Sequence, residues 1–428
     1  MKRTLLLAAV SFLLCGTLGA RGVKTLREGT DFRADTTEVG DFIRLTLDGP
    51  TDIVLDARGG AIRGVDIRPV SRNIACRVEE GRLRLLGVTP CKIAVTFNDD
   101  PSRPVYLFAD PPAPKEWRRL PADAVRFGPG VHEIGTRVVT GRDRTFFLEE
   151  GAVLRGCIYG KGATNVRILG YGVIDGRGTK RGTRFERCEG VEIDGPVVLS
   201  RNGWSNSFFE CRGVTLRNLK VLSSQVFSDG IDLLATSDVL VDDIFIRNED
   251  DCISIKTKKF GFSGNAENIV VRNSTFWSGR QGNALEIGWE LDAEWVRRIR
   301  FENIDIIRKG TADHLFKRAA LSIHHIGNAA VSDVLYRDIR IESVEENLVW
   351  IELIPAGKWG SGGGSVENVR FERVSYLRGR EVPVVIRGGG SGAIRDVVFR
   401  KFRYLGRPVS SADDPLFRIE NAQVTVEP

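Results

Sequence analysis

Three aspartates are spaced so that they could share one proton-transfer site. Asp229 stands in Ser228-Asp229-Gly230-Ile231-Asp232-Leu233, and Asp250 and Asp251 stand in Asn248-Glu249-Asp250-Asp251-Cys252-Ile253-Ser254-Ile255-Lys256. Apolar residues fall at every second position in both stretches (Ile231 and Leu233; Ile253 and Ile255), the period of a strand with one buried face. Superposing these pairs sets Asp229 level with Asp251, Ser228 with Asp250 and Asp232 with Ser254, an offset of 22 residues (251 − 229). On neighbouring strands ~4.8 Å apart, such carboxylates repel and raise one another's pKa. That is useful where one carboxyl must keep a proton while another takes one, as general acid–base catalysis requires. A ladder of solvated surface aspartates is the alternative reading of the same residues.

The superposition continues. Leu285 and Ile287 match Ile253 and Ile255, which puts Asn283 level with Asp251 and Glu286 level with Ser254 and Asp232. One face is thus expected to carry Asp229, Asp232, Asp250, Asp251, Lys256, Asn283, Glu286 and Trp289. Lys256 either neutralises the cluster or contacts a ligand, and Asp232 with Glu286, two strands and ~10 Å apart, form a second candidate acid–base pair. Strict alternation would turn Asp229 and Asp251 inward; the turn before each strand is expected to bring them to the surface. The four histidines are not grouped with cysteines and no CxxC occurs, so no metal site is expected.

The elements that must hold these residues repeat. Asn165-Val-Arg-Ile168, Gly190-Val-Glu-Ile193, Gly213-Val-Thr-Leu216, Asp238-Val-Leu-Val241, Asn268-Ile-Val-Val271, Arg298-Ile-Arg-Phe301, Asp333-Val-Leu-Tyr336, Asn368-Val-Arg-Phe371 and Asp396-Val-Val-Phe399 share one plan, recurring about every 29 residues. A period of that length built of strand patterns, with no helical spacing between, predicts a solenoid of parallel strands, a β-helix over residues 120–428. Phe127–His132 and Thr145–Leu154 are expected to start it. Longer intervals place loops such as Thr257–Glu267 and Trp289–Trp295 beside the aspartates, where they would wall a groove. Residues 21–115 instead show short alternating runs punctuated by Gly-Pro, Gly-Gly and Asp-Asp, which predicts a small, separate antiparallel β-sandwich. Pro111-Pro112-Ala113-Pro114 reads as the linker.

Lys2 and Arg3, an apolar run from Leu5 to Leu14 and small residues ending at Gly19-Ala20 follow the plan of a secretory leader over residues 1–20. The run is too short to span a bilayer, and lipidation at Cys15 is disfavoured by the Leu14 before it. An exported, monomeric protein without a membrane span is expected. The net charge of +6 is dispersed among alternating signs, so a nucleic-acid partner is not expected, while an anionic substrate is compatible. Six cysteines follow the leader. Cys76 with Cys91 is the most economical disulfide, and Cys188 and Cys211 are expected on successive coils.

Ser-Asp-Gly-Ile-Asp, then Asn-x-Asp-Asp-Cys-Ile-Ser-Ile, then Gly282-Asn283-Ala284-Leu285-Glu286-Ile287-Gly288 resembles the core of glycoside hydrolase family 28, the polygalacturonases and their relatives. Trp277, Gly288-Trp289 and an added N-terminal sandwich are also similar to family 49, the dextranases and isopullulanases. The strong match covers about residues 200–305. The resemblance implies a right-handed parallel β-helix, an inverting mechanism, no cofactor and a polysaccharide or oligosaccharide as partner. It implies Asp250 as general acid, with Asp229 and Asp251 activating water. Asn248, Lys256, Trp277, Asn283, Glu286, Trp289 and His324 are the candidate substrate contacts; for the tryptophans and His324 packing is the alternative. The chain departs from the polygalacturonase pattern twice: Asn283 replaces a histidine, and Ser322-Ile323-His324 stands where an Arg-x-Lys would hold a uronate carboxylate. Both argue against ordinary homogalacturonan hydrolysis. A β-helix polysaccharide lyase and a non-catalytic carbohydrate-binding solenoid are the competing readings.

Overall fold

The computed structural model describes residues 3–6, 40–56, 61–102, 104–201, 203–310 and 318–428. The expected leader lies outside the described residues apart from Arg3–Leu6, whose backbone runs parallel to Thr51–Val54.

Beyond the proline-rich linker the chain winds into a right-handed parallel β-helix, in which 31 strands among the described residues form one continuous system. Each full coil contributes strands to three ladders. The first contains the tetrapeptide repeats, and its register is the one that the period demands: Val166, Val191, Val214, Val239, Ile269, Ile299, Val334, Val369 and Val397 stack one above the next. These side chains are buried, and with their neighbours on all three ladders they form a single apolar core. No coil could bury that surface alone, so each is stabilised by the coils above and below.

The Asn, Asp or Gly that opens most of the repeats has its own reason. All nine opening residues, Arg298 included, have φ between 51° and 69°. The left-handed region suits Gly, Asn and Asp, whereas other side chains crowd the backbone there. Several of these residues also bond along the stack: Asn268 Nδ2 donates to Asp238 Oδ1 at 2.8 Å, and Arg298 Nε donates to Asn268 Oδ1 at 2.6 Å. The corner of each coil is therefore written in the sequence as well as its strands.

The N-terminal part is a sandwich of two four-stranded sheets around Ile43, Leu45, Ile53, Leu55, Leu83, Leu85, Ile93 and Leu107. It departs from expectation in two ways. Asp41–Thr46 runs parallel to Val105–Asp110, so the sheets are mixed. Nor is the sandwich separate: Phe42, Tyr106 and Phe108 pack against Leu199, Leu222, Phe245 and Trp277 on the second ladder. Asp110 is buried in this seam and accepts hydrogen bonds from Arg44 Nε (2.7 Å), Lys220 Nζ (2.5 Å) and Asn218 Nδ2 (2.9 Å). Burial alone would raise its carboxyl, but the Lys220 and Arg44 cations outweigh it and hold the group below the ordinary range.

All six described cysteines are free thiols. The Cys76–Cys91 pairing is ruled out by topology, since Cys76 is exposed on one sheet of the sandwich and Cys91 is buried on the other. Cys188 and Cys211 do lie on successive coils, each donating to a main-chain carbonyl, of Glu186 and Phe209 respectively, at 3.4 Å.

Candidate active site

The third ladder positions the aspartates. Its strands Ile231–Leu234, Ile253–Lys256, Leu285–Trp289 and Ala319–His325 pair in the predicted register, with Ile231, Ile253, Leu285 and Leu321 in line. Asp229 and Asp251 each precede their strand by one residue, Gly230 and Cys252 respectively, and both line a cavity of about 370 Å³. The turn breaks the alternation, as expected, although both side chains stay largely buried. Gly282 makes this possible in the next coil, because a Cβ there would lie 1.9 Å from the carbonyl carbon of Asp250.

Asp229, Asp250 and Asp251 each offer a carboxylate oxygen within 4.8 Å of the others. Their surroundings differ. Asp229 Oδ2 accepts from Lys256 Nζ at 2.9 Å, and the same ammonium donates to Asp232 Oδ1 at 2.8 Å. Asp251 Oδ1 accepts from the Asn283 backbone N–H (2.7 Å) and from Asn283 Nδ2 (3.1 Å). Asn283 is itself oriented, since its Oδ1 accepts from the Ala319 N–H at 2.8 Å. Asp250 Oδ1 accepts the Asp251 N–H at 3.1 Å.

These differences separate the protonation states. Burial, with the charges of Asp229 and Asp251, holds the Asp250 carboxyl well above the usual carboxylate range. Burial, Asp229 and Glu286 push Asp251 up to about 7. Burial and Asp229 raise Asp232 strongly. For Lys256 burial alone would lower the ammonium, but Asp229, Asp232 and Glu290 outweigh it and hold the group well above its ordinary value. The cluster can therefore present a protonated carboxyl beside ionisable ones.

Of the candidate residues, Asp229, Asp250, Asp251, Lys256, Asn283 and Trp289 line the cavity. Four others do not. Asn248 is buried and its amide donates to the carbonyls of Ser228 (3.0 Å) and Asp251 (2.7 Å), so it holds the turn. Glu286 and His324 are fully buried and pair with each other, with His324 Nδ1 2.9 Å from Glu286 Oε2; Ser322 Oγ also donates to Glu286. The His324 ring stacks against the Trp289 indole at 4.8 Å, a position behind the cavity. Trp277 is in the seam with the sandwich, edge-on to Tyr106 at 6.2 Å, so its indole is packing and not a sugar platform.

The cavity also contains residues that the motifs did not flag. Trp204 is level with Asp229 and Arg318 with Gly282 and Asp250, so the same superposition carried one coil further each way would have found them. Arg181, Phe227, Phe260 and Trp359 come from turns and loops, where no strand register applies, and Lys259 from a short hairpin outside the three ladders. Two of the expected wall loops are tied together: Lys258 Nζ donates to Asp292 Oδ2 at 3.3 Å, and the Ser361 N–H to Asp292 Oδ1 at 2.9 Å.

Fold and site together define a parallel β-helix protein with an aspartate-lined cavity on one face. The chain matches the family description "Glycosyl hydrolases family 28" over residues 130–376, more than half its length, and it belongs to that family. It is 21% identical over 276 residues to a probable polygalacturonase of Arabidopsis thaliana, covering 59% of each chain. It is 20% identical over 244 residues to polygalacturonase QRT2 of the same plant, covering 51% of this chain and 53% of that one. The chain thus spans less than two thirds of the length of these relatives. Among solved structures, Dex49A from Penicillium minioluteum superposes with a TM-score of 0.60 at 14% identity, over 98% of this chain and 89% of that one. The Yersinia enterocolitica family 28 exopolygalacturonase gives 0.50 at 13% identity, over 88% and 96%. At these identities the likeness is one of fold.

Proposed function

We propose that the protein is an exported, inverting glycoside hydrolase acting on a polysaccharide or oligosaccharide, with Asp250 as general acid and Asp229 and Asp251 activating water. The observation that carries this reading is the asymmetry among the three carboxyls. Asp229 accepts from a lysine and Asp251 from two N–H donors, while Asp250 has one N–H donor and is pressed by both neighbours. A protonated Asp250 can deliver its proton to the glycosidic oxygen. A water held by Asp229 and Asp251 attacks the anomeric carbon, loses a proton to one of them, and leaves the product with inverted configuration.

One observation favours a second stereochemical outcome. Oxygens within 4.8 Å are closer than the roughly 6.5–9.5 Å usual for inversion. Inversion rests on the family resemblance, and retention through direct carboxylate attack is the competing course. A calcium-assisted lyase is disfavoured because the Lys256 ammonium already neutralises Asp229.

The relatives named polygalacturonases make pectic chains the first substrates to test. Unmodified polygalacturonate is not the expected one: at the position of the missing Arg-x-Lys, Ser322 and His324 are both engaged by Glu286, and neither supplies the Arg or Lys side chain that would hold a uronate carboxylate.

The deciding experiment uses purified glycans assayed for new reducing ends, with the first product's anomeric configuration read by NMR before mutarotation. Asp250→Asn should lower turnover by roughly 10²–10⁴-fold, less for leaving groups that need no protonation. Near-normal activity of Asp250→Asn removes the assignment, and binding without turnover on any glycan favours a non-catalytic solenoid. Export is tested by N-terminal sequencing of the mature protein, expected to begin after Ala20.

A further inference from the structure

Among the described residues, Phe227 and Phe260 are the strongly exposed aromatic side chains, at 64% and 60%, and both line the aspartate cavity. They reach it from opposite ends of the strands of the third ladder. Phe227 is in the turn that leads into Ile231–Leu234, two residues before Asp229, and Phe260 is at the tip of the hairpin Lys258–Ser263 that follows Ile253–Lys256. Both adopt left-handed backbone conformations, with φ of +60° and +53°. That region is unfavourable for a bulky side chain, and neither ring recovers the cost by burial.

The Phe260 ring is nonetheless held in place. Its hairpin is pinned on one side by the Ser263 N–H donating to Glu210 at 2.9 Å, and on the other by Lys258 to Asp292 at 3.3 Å. Beneath it Trp204 lies 5.3 Å away, and the neighbouring Phe262 packs on Phe209 at 4.8 Å. An exposed ring on a braced support is a stacking platform, because it covers an apolar face of a ligand without ordering itself first.

We propose that Phe227 and Phe260 form a two-sided aromatic clamp beside the aspartates, and that the clamp selects an uncharged pyranose ring. This rests on the reading of the cavity as a sugar site. A pyranose presents C–H groups on its faces, and two rings would dehydrate both. A uronate carboxylate would bring negative charge towards the electron-rich ring faces and towards Asp229, Asp251 and Glu290. The two cavity lysines are already engaged, Lys256 by Asp229 and Asp232 and Lys259 by Glu290. Two guanidinium groups oppose this choice: Arg181, whose buried Nε has no hydrogen-bond partner, and Arg318, which donates to the Arg280 carbonyl, line the same cavity.

The test measures binding apart from turnover. In an Asp250→Asn background, uncharged glucose-, galactose- and rhamnose-based trisaccharides and a galacturonate trisaccharide are titrated against tryptophan fluorescence, since Trp204, Trp289 and Trp359 line the cavity. At least one uncharged trisaccharide should bind more tightly than the galacturonate. Phe227→Ala and Phe260→Ala should each weaken that binding about threefold to tenfold, Phe→Tyr at either position should restore it, and thermal unfolding should show that all variants fold. Unchanged affinity in both alanine variants, tighter galacturonate binding that Arg181→Met abolishes, or no binding of any trisaccharide overturns the proposal. Clamp-dependent binding by a protein that hydrolyses nothing would sink the enzymatic reading and leave the clamp standing.

Discussion

Asn283 gives Asp251 both of its N–H donors, the backbone at 2.7 Å and the side chain at 3.1 Å, on the same carboxylate oxygen. Asn283 therefore serves the aspartate without adding a group that titrates near neutrality. Its amide cannot flip freely, because its oxygen is committed to Ala319.

The pH dependence should follow from this. If Asp251 activates water as proposed, its charged form is needed, and with the group near 7 kcat/KM should fall on the acid side around neutrality. N–H donors favour the carboxylate, so Asn283→Ala removes one and raises the pKa further. The acid limb should move up by about half a pH unit, with more activity lost below neutrality than above it. A pH–rate profile checks this, and an acid limb that stays put or moves down contradicts the role given to Asn283.

Lys256 is the cation that makes the cluster tolerable. Lys256→Met leaves Asp229 and Asp232 buried without it and should cost about 3–5 kcal/mol of stability, together with most of the activity. Adding Asp232→Asn should recover part of the stability, since that carboxyl is already pushed towards its neutral form. Urea denaturation of the single and double variants gives the comparison; a single variant as stable as the parent would show that the pair contributes nothing net.

The two candidate tryptophans should separate cleanly. Trp277→Ala removes an indole from the seam with the sandwich and should lower stability by about 3–5 kcal/mol while leaving KM near the parent value. Trp289→Ala, at the cavity, should raise KM at a smaller cost in stability. Reversed effects would return Trp277 to the list of sugar contacts.

Asp110 should be the residue through which the sandwich is locked to the solenoid. Asp110→Asn leaves the buried Arg44 and Lys220 without their carboxylate, and a loss of about 3–5 kcal/mol is expected. Thermal unfolding followed both by tryptophan fluorescence and by far-ultraviolet circular dichroism should then separate into two transitions. One coincident transition at the parent temperature would mean that the apolar contacts of Phe42, Tyr106 and Phe108 suffice.

The sequence alone determined the solenoid and the register of its aspartate-bearing ladder, and six of the ten candidate residues lie at the cavity lining. The physical reason is that a strand has a period of two and a coil a near-constant length, so superposing Ile231, Ile253, Leu285 and Leu321 leaves little freedom in what lies beside them. Only the tertiary structure decided the rest. Trp277 and Trp289 look alike as residues; one meets Tyr106 of the sandwich and the other a cavity, and nothing near either in sequence distinguishes those partners. Asn248 and Asn283 both stand beside the aspartates, yet one amide is spent on backbone carbonyls and the other on a carboxylate. Cys76 and Cys91 are near in sequence and on different sheets. Phe227, Phe260 and Trp359 reach the cavity from turns and loops, whose paths are set by long-range ties such as Ser361 to Asp292, with no period to betray them.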